Sequence, residues 1–207
     1  MPAFDDARTF WDKRFDTSEY IFGTEPNVFL TREQSRLPAG ARILDVACGE
    51  GRNAVWLASL GHRVTGFDIS PLAIGKARAL ADARKVQVNL RVADVRTWEW
   101  EPGAFDAVVC VFIQFASPEV RTRLFEGFRS TLAPGGIVLL QGYTPKQLEY
   151  RTGGPGDASH LYTPALLESA LTGFEMLRLE AHEAVLAEGS KHVGRSALID
   201  VVARKPG

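Results

Sequence analysis

The sequence predicts an α/β fold whose mostly parallel sheet is closed at one edge by an antiparallel hairpin, and three patterns carry that expectation. Apolar, β-rich runs starting at Ile43 and covering 63–67, 88–92, 105–113 and 137–140 alternate with helical patterns, as βαβ units do. Three helix starts share one chemistry: Ser70-Pro71, Ser117-Pro118 and Thr163-Pro164 each put a hydroxyl N-cap ahead of proline at the first helical position. The last two strand-like runs, 175–186 and 196–203, have only residues 187–195 between them. No crossover helix fits there, so the two runs pair antiparallel.

Taken in order, Phe4, Ala7, Trp11 and Phe15 step by three, four and four, which is one face of a helix. An aromatic stretch with Tyr20, Phe22 and Gly23 follows, and a second helix is expected from Pro26 to Arg36, stopped by Pro38 and Gly40. Val88, Leu90 and Val92 alternate as on a strand, while Val120, Leu124, Phe128 and Leu132 step by four as on a helix. Residues 144–162, with Gly153-Gly154-Pro155-Gly156, read as one long loop, and loops of that length in compact domains are more often functional than accidental. The expected organisation is a single domain: amino-terminal helices over 1–40, a βαβ core over 41–143, the 144–162 loop, and a helix with the hairpin over 163–207.

Composition sets bounds. The 207 residues are 45% hydrophobic and 24% charged, ordinary globular values for a chain long enough to bury its own core. Twenty-four Lys/Arg balance 25 Asp/Glu, and neither half has a basic excess, so a nucleic-acid partner is not expected. The longest apolar run, Ala107 to Ile113, is seven residues, far short of the roughly 20 that span a bilayer. With no signal-peptide pattern after Met1, the expected location is cytoplasmic, away from membranes. Two cysteines, Cys48 and Cys110, suggest neither a disulfide framework nor a metal site.

The chemistry centres on ILDVACGEGRNA, residues 43–54, where a strand breaks into a glycine turn and then a helix. Gly49, Gly51 and Ala54 satisfy G-x-G-x-x-A, which combines a tight turn, close backbone approach to a ligand and close helix packing. Asp68 ends the second strand 23 residues after Asp45, where an acidic side chain accepts both hydroxyls of a ribose. Asp94, just past the third strand, is placed to accept from an adenine amine. Three carboxylates at consecutive strand ends point to an adenosine pocket. Arg52 and Asn53 begin the following helix, where an anion is favoured.

With these residues the chain resembles the class I S-adenosylmethionine-dependent methyltransferases. The likeness runs through D-V-A-C-G-E-G at 45–51, Asp68, the pair Ala93-Asp94, FDAVVCVFIQF at 105–115, LAPGGIVLL at 132–140 and the terminal hairpin. It implies a three-layer, Rossmann-like methyltransferase fold with a seven-stranded sheet and S-adenosyl-L-methionine as cofactor. By the same likeness Asp45 and the Gly49 to Gly51 backbone hold the methionine portion, Asp68 the ribose, and Ala93, Asp94 and Val95 the adenine, with Ala47, Cys48, Arg52, Asn53 and Ile69 at the same site. Residues 11–30, WDKRFDTSEYIFGTEPNVFL, are similar to the bacterial tellurite-resistance methyltransferases and more loosely to the thiopurine S-methyltransferases. That likeness puts Trp11 and Arg14 over the cofactor, Arg14 against its carboxylate. His192 matches a substrate-facing histidine of the tellurite-resistance enzymes, but Val193 stands where they have arginine, and Arg195 is the compensating candidate.

The expected reaction is methyl transfer to a small molecule, with a soft nucleophile (a thiol, or a selenium or tellurium oxyanion) as acceptor. Such a displacement depends on alignment, and orientation supplies roughly 7–11 kcal/mol when the approach is right. The candidate positioning residues are Gln114 and Phe115 after the fourth strand, Tyr143, Arg151 and His160 around the long loop, and His192 with Arg195 in the hairpin turn. His62 and His182 are assigned no role, and the two cysteines read as inert. Where amino-methylating enzymes carry [DN]-P-P-[FY], this chain has VFIQFAS, so methylation of DNA amino groups is not expected. Two rival readings are a sensor that binds S-adenosylmethionine without catalysis and a nicotinamide-dependent oxidoreductase. The second lacks a Tyr-x-x-x-Lys pair and does not explain Asp45 or Asp94. The oligomeric state is open.

Overall fold

The computed structural model describes residues 7–207, so Phe4, the first member of the expected helical face, lies outside the described residues. Helix α1 (Ala7–Phe15) is followed by α2 (Val28–Glu33), where Asn27 caps the helix by accepting from the Leu30 amide. The helix expected as far as Arg36 ends instead in a 3-10 turn over Gln34–Arg36. Then come β1 (Arg42–Val46), α3 (Arg52–Ser59), β2 (Arg63–Asp68), α4 (Pro71–Arg84), β3 (Asn89–Val92), β4 (Phe105–Val111), α5 (Pro118–Thr131) and β5 (Leu132–Tyr143). The chain closes with α6 (Gln147–Tyr150), a 3-10 turn (Ala158–His160), α7 (Pro164–Ala170), β6 (Glu175–Glu188) and β7 (His192–Arg204).

The three hydroxyl-proline starts form as expected. Ser70 accepts from the Ala73 amide, Ser117 from Val120 and Thr163 from Leu166, each cap worth about 1 kcal/mol. The seven strands lie in the order β3-β2-β1-β4-β5-β7-β6, parallel as far as β5, with β7 antiparallel to both its neighbours. This is the expected methyltransferase fold. Alternation builds its core on both faces: Leu44, Val108, Cys110, Val138 and Leu140 pack towards α5 and α7, while Ile43, Ala107, Val109, Ile137 and Leu139 pack with α2 and α3.

Further boundaries depart from the sequence reading, and β4, expected to run to 113, ends at Val111. Strand β5 starts at Leu132, five residues earlier than Ile137, because a bulge around Gly135 (φ 75°) lets it pair with Phe105 before rejoining β4 at Ala107. The 144–162 segment is no unbroken loop, since α6 and a 3-10 turn lie within it. The hairpin turn is three residues, Gly189 to Lys191, not the nine of 187–195, and Gly189 takes the left-handed φ of 62° that such a turn needs. That last difference decides which side chains meet: His192 pairs with Glu188, and residues 193 and 195 face away from the side that His192 occupies.

The strand order reverses between β1, which pairs with β2, and β4, which lies on its other side. A crevice opens there beyond the carboxyl ends of the strands, and ligands of open α/β sheets bind at such a point.

Candidate functional site

Leaving β1, the chain turns through Ala47, Gly49 and Gly51, all with positive φ (51°, 55° and 83°). Glycine is required at 51 for packing as well: a Cβ there would stand 2.6 Å from that of Ala77, so its absence lets α3 lie against α4. The Gly49 amide donates to Asp68 Oδ2 at 2.9 Å, and the Ser70 amide donates to Oδ1 at 2.9 Å. Burial pushes the Asp68 carboxyl up to about 6 against those hydrogen bonds. Asp45 is lifted to about 7, chiefly by burial, with Arg52 pulling it down and Asp68 pushing it up. Its Oδ2 has no hydrogen-bond partner among the described residues. A buried carboxylate oxygen without a donor is costly, and it marks a place that a cationic or hydroxyl-bearing ligand would satisfy.

These carboxylates lie at one end of a cavity of about 340 Å³. The 45–53 turn lines it, with Asp68, Ile69, Ala93, Asp94 and Val95 along one wall. Its cover comes from the amino-terminal segment: Trp11 stacks on Phe15 (5.7 Å, 25°) and meets Phe115 edge-on at 6.5 Å. The Arg14 guanidinium lies 5.7 Å from the Trp11 ring and 5.9 Å from Phe22. Arg14 has no ion-pair partner among the described residues, and burial draws it below its ordinary value. It remains a cation facing the cavity.

The other end is aromatic. Phe112, directly after β4, holds φ at +57°, a strained conformation for a side chain of its size. Its ring stacks on Tyr143 (4.7 Å, 26°) and meets His192 at 4.4 Å, while Phe22 covers His192 at 4.5 Å. The Tyr143 hydroxyl is buried without a partner among the described residues, and burial next to the Glu188 charge raises it. His192 Nδ1 lies 3.4 Å from Glu188 Oε2, which also receives Arg52 at 2.8 Å, and Asn27 donates to Glu188 Oε1 at 3.0 Å. Burial, Arg52 and Arg14 hold His192 below its ordinary value despite the pull of Glu188.

Thirteen of the fourteen residues expected around the cofactor line the cavity: Trp11, Arg14, Asp45, Ala47, Cys48, Gly49, Arg52, Asn53, Asp68, Ile69, Ala93, Asp94 and Val95; Gly51 does not, and instead packs against Ala77. Two qualify the expectation. Arg96 takes both oxygens of the Asp94 carboxylate at 2.6–3.1 Å and holds it below the usual range, so an adenine amine would share that carboxylate with Arg96. At the start of α3 the Arg52 guanidinium is taken by Glu188 and the Phe22 carbonyl, while the Asn53 side-chain oxygen accepts from the Asn27 amide.

At the acceptor end the expected set divides. His192, Tyr143, Gln114 and Phe115 line the cavity; Arg151, His160 and Arg195 do not. Arg195 points outward because it is odd-numbered against His192 on the same strand, and it pairs with Glu183 at 2.6 Å over the Tyr150 ring. Arg151 is exposed at the end of α6, with a left-handed φ of 55°. His160 is buried in the 3-10 turn, where its carbonyl accepts from Gln114 Nε2 at 3.1 Å. The Gln114 amide is itself consumed, donating also to the Tyr143 carbonyl at 2.8 Å and accepting from the Tyr143 amide at 2.5 Å. It braces the wall, with both of its side-chain N–H donors committed to backbone carbonyls. Glu188, Phe22 and Phe112 are additions that the sequence reading missed. For Glu188 a signal existed, since E-G-S-K-H read as a three-residue hairpin loop puts Glu188 opposite His192.

Residues 43–136 match the family model described as a methyltransferase domain. The chain is 39% identical over 104 residues to a ubiquinone biosynthesis O-methyltransferase of Xanthomonas axonopodis pv. citri, a match covering 50% of this chain and 43% of that relative. The chain thus spans less than half the length of that curated relative. Among solved structures, it is similar to one described under the conversion of a disulfide bond into a thioacetal group during echinomycin biosynthesis (TM-score 0.78, 19% identity, 97% of this chain and 92% of that one). It is also similar to TehB from Haemophilus influenzae (TM-score 0.69, 18% identity, 96% and 66%). At these identities the structural likenesses bear on the fold. The sequence resemblance implies S-adenosylmethionine as the cofactor. The residues fit it: Asp45 offers an unpartnered carboxylate oxygen for an ammonium, Asp68 a buried carboxylate for hydroxyls, and Arg14 an unpaired cation for a carboxylate.

Proposed function

We propose that this chain is an S-adenosylmethionine-dependent methyltransferase whose acceptor is a small molecule bearing a hydroxyl or thiol on a flat apolar body. The observation that carries the reading is the continuity of one cavity, with the carboxylate-lined glycine turn at one end and His192, Tyr143 and Phe112 at the other. When bound, the cofactor supplies a methyl group on a sulfonium for in-line displacement. The protein's task is then alignment and exclusion of water.

Asp45 and Arg14 would hold the amino-acid end of the cofactor and Asp68 its ribose. Trp11, Phe15 and Phe22 close the cavity above. An acceptor ring would lie against Phe112 and Tyr143, and ring-on-ring contacts of this kind add about 0.5–1.5 kcal/mol beyond the area they bury. His192, held towards its neutral form, can take a proton from an O–H or S–H acceptor; such general-base help is worth roughly 10² to 10⁴ in rate. A tellurium or selenium oxyanion fits less well, because Arg151 and Arg195, expected to draw an anion, lie outside the cavity. A small-molecule partner in a cytoplasmic setting, without nucleic acid or membrane, accords with the balanced charge and with the absence, among the described residues, of any helix long and apolar enough to cross a membrane.

The test is methyl transfer from labelled S-adenosylmethionine to a panel of small phenols, catechols, aromatic thiols, selenite and tellurite, with product detection by mass. Methylated phenol or thiol is the expected result. Transfer only to the oxyanions, or only to nitrogen, would overturn the acceptor assignment, and cofactor binding with no transfer to any acceptor would make the chain a sensor.

A further inference from the structure

Glu188 lies at the end of β6 and has no place in the cofactor site, yet its carboxylate is one of the most fully held groups in the molecule. Arg52 Nη2 donates to Oε2 at 2.8 Å and Asn27 Nδ2 donates to Oε1 at 3.0 Å, both between buried side chains. Asn27 is fixed in turn, since it also donates to Gln141 Oε1 at 2.8 Å and its own amide donates to Asn53 Oδ1 at 2.9 Å. With both oxygens anchored the carboxylate cannot rotate. The third neighbour of Glu188 is His192 Nδ1 at 3.4 Å. Burial works to protonate Glu188, but the His192 hydrogen bond and Arg52 outweigh it and hold the group below its ordinary value. It is therefore ionised at neutral pH, and an ionised carboxylate only accepts. The proton shared between them must sit on Nδ1.

We infer that Glu188, anchored by Arg52 and Asn27, is the positioning residue that fixes His192 as its Nδ1–H tautomer, leaving Nε2 as the acceptor atom for a substrate O–H or S–H. The proposal rests on the methyltransferase reading and deepens it. It makes the site selective for acceptors that give up a proton as they are methylated. The balance of the step is simple: the bond between sulfonium sulfur and methyl breaks, the bond between acceptor oxygen or sulfur and methyl forms, and the acceptor's proton passes to Nε2. The sulfonium becomes a neutral thioether, and the imidazolium later returns its proton to water. Glu188 stabilises the imidazolium formed.

Arg52 gives this device its second property. The groups facing His192 are Glu188 from β6, Arg52 from α3, Arg14 from α1 and the Tyr143 ring from β5. Only Glu188 raises the histidine among the groups that shift it, while Arg52 and Arg14 lower it. The carboxylate thus orients the ring without charging it, and His192 stays able to accept a proton at neutral pH. The alternative reading, a substrate-binding imidazolium, needs a histidine that is charged there.

The test is nitrogen–proton correlation NMR of the full chain labelled at its four histidines, with His192→Gln assigning the His192 signals. The expected spectrum at pH 7 shows His192 neutral with its proton on Nδ1. In Glu188→Gln the tautomer preference is expected to weaken and the His192 titration midpoint to move down by about half a unit or more, because the one group holding it up has lost its charge. A proton on Nε2 in the wild type, an imidazolium at pH 7, or a midpoint unchanged in Glu188→Gln would overturn the proposal. Should Glu188→Gln not fold, the wild-type tautomer decides alone. Calorimetric titration of the wild type with S-adenosylhomocysteine separates the two levels: loss of that binding defeats the methyltransferase reading, while a wrong tautomer with binding intact defeats only the role of Glu188.

Discussion

The two ends of the cavity are built in different ways. At the carboxylate end the groups come from short, contiguous stretches at successive strand ends, residues 45–53, 68–69 and 93–95, and the backbone itself does much of the positioning through Gly49 and Gly51. At the aromatic end Phe22, Phe112, Tyr143 and the hairpin pair Glu188 and His192 converge from four separate parts of the chain. Their placement depends on strand register, on a three-residue turn and on the contact of the hairpin with the amino-terminal segment, where the Ser190 amide donates to the Ile21 carbonyl at 2.9 Å. A binding end set by local turns is robust to change elsewhere. An end set by convergence can be re-tuned by moving one strand residue, which suits a part of the site that chooses among acceptors.

The contrast can be broken most sharply at His192. His192→Ala is expected to lower kcat by roughly 10² to 10⁴ with S-adenosylhomocysteine affinity nearly unchanged, measured by labelled methyl transfer beside calorimetry. A variant that lost cofactor binding as severely as turnover would erase the distinction between the two ends. Asp68→Ala should do the reverse and weaken S-adenosylhomocysteine binding at least tenfold, about 1.4 kcal/mol, as read by calorimetry. Unchanged affinity would remove Asp68 from the ribose role. The smallest effect belongs to Arg195→Ala: its pair with Glu183 is exposed, and its loss should change kcat/KM less than about twofold and stability by no more than roughly 0.5 kcal/mol. A large loss of turnover would return Arg195 to the site.

The same contrast explains what could be read from the amino acids alone. The three capped helices, the glycine turn and the acidic strand ends are local patterns, and each specifies its neighbourhood without reference to the rest of the fold. Positions of β6 and β7 are not local in that sense. Taking 187–195 as the turn made Arg195 a neighbour of the site, whereas a three-residue turn makes β7 begin at His192 and turns residue 195 outward by the alternation of side chains. Gln114 was legible as a residue near the site but not as a brace, because its partners, the Tyr143 backbone and the His160 carbonyl, come from later parts of the chain. Phe112 carried no signal: its significance comes from a left-handed φ and from the rings stacked on it, which only the assembled fold shows.

The central claim is that the carboxylate end is a site for the adenosyl and amino-acid portions of S-adenosylmethionine, and it is tested most directly by titrating S-adenosylhomocysteine into the full chain across pH. Asp45 and Asp68, lifted by burial to about 7 and about 6, are protonated below those values, and a ligand that donates to them favours their ionised forms. Binding should therefore release protons and tighten as pH rises through about 6 to 7, levelling off above. For the ligand-free chain the same raised values mean that stability falls as pH rises from about 4 towards 7, since over that range the folded state holds protons the unfolded chain has lost. Calorimetry in two buffers of different ionisation enthalpy reads affinity and proton release together. One-to-one binding with protons released and affinity rising over that window is the predicted result; no binding, or an affinity that stays flat or falls as pH rises, would contradict it.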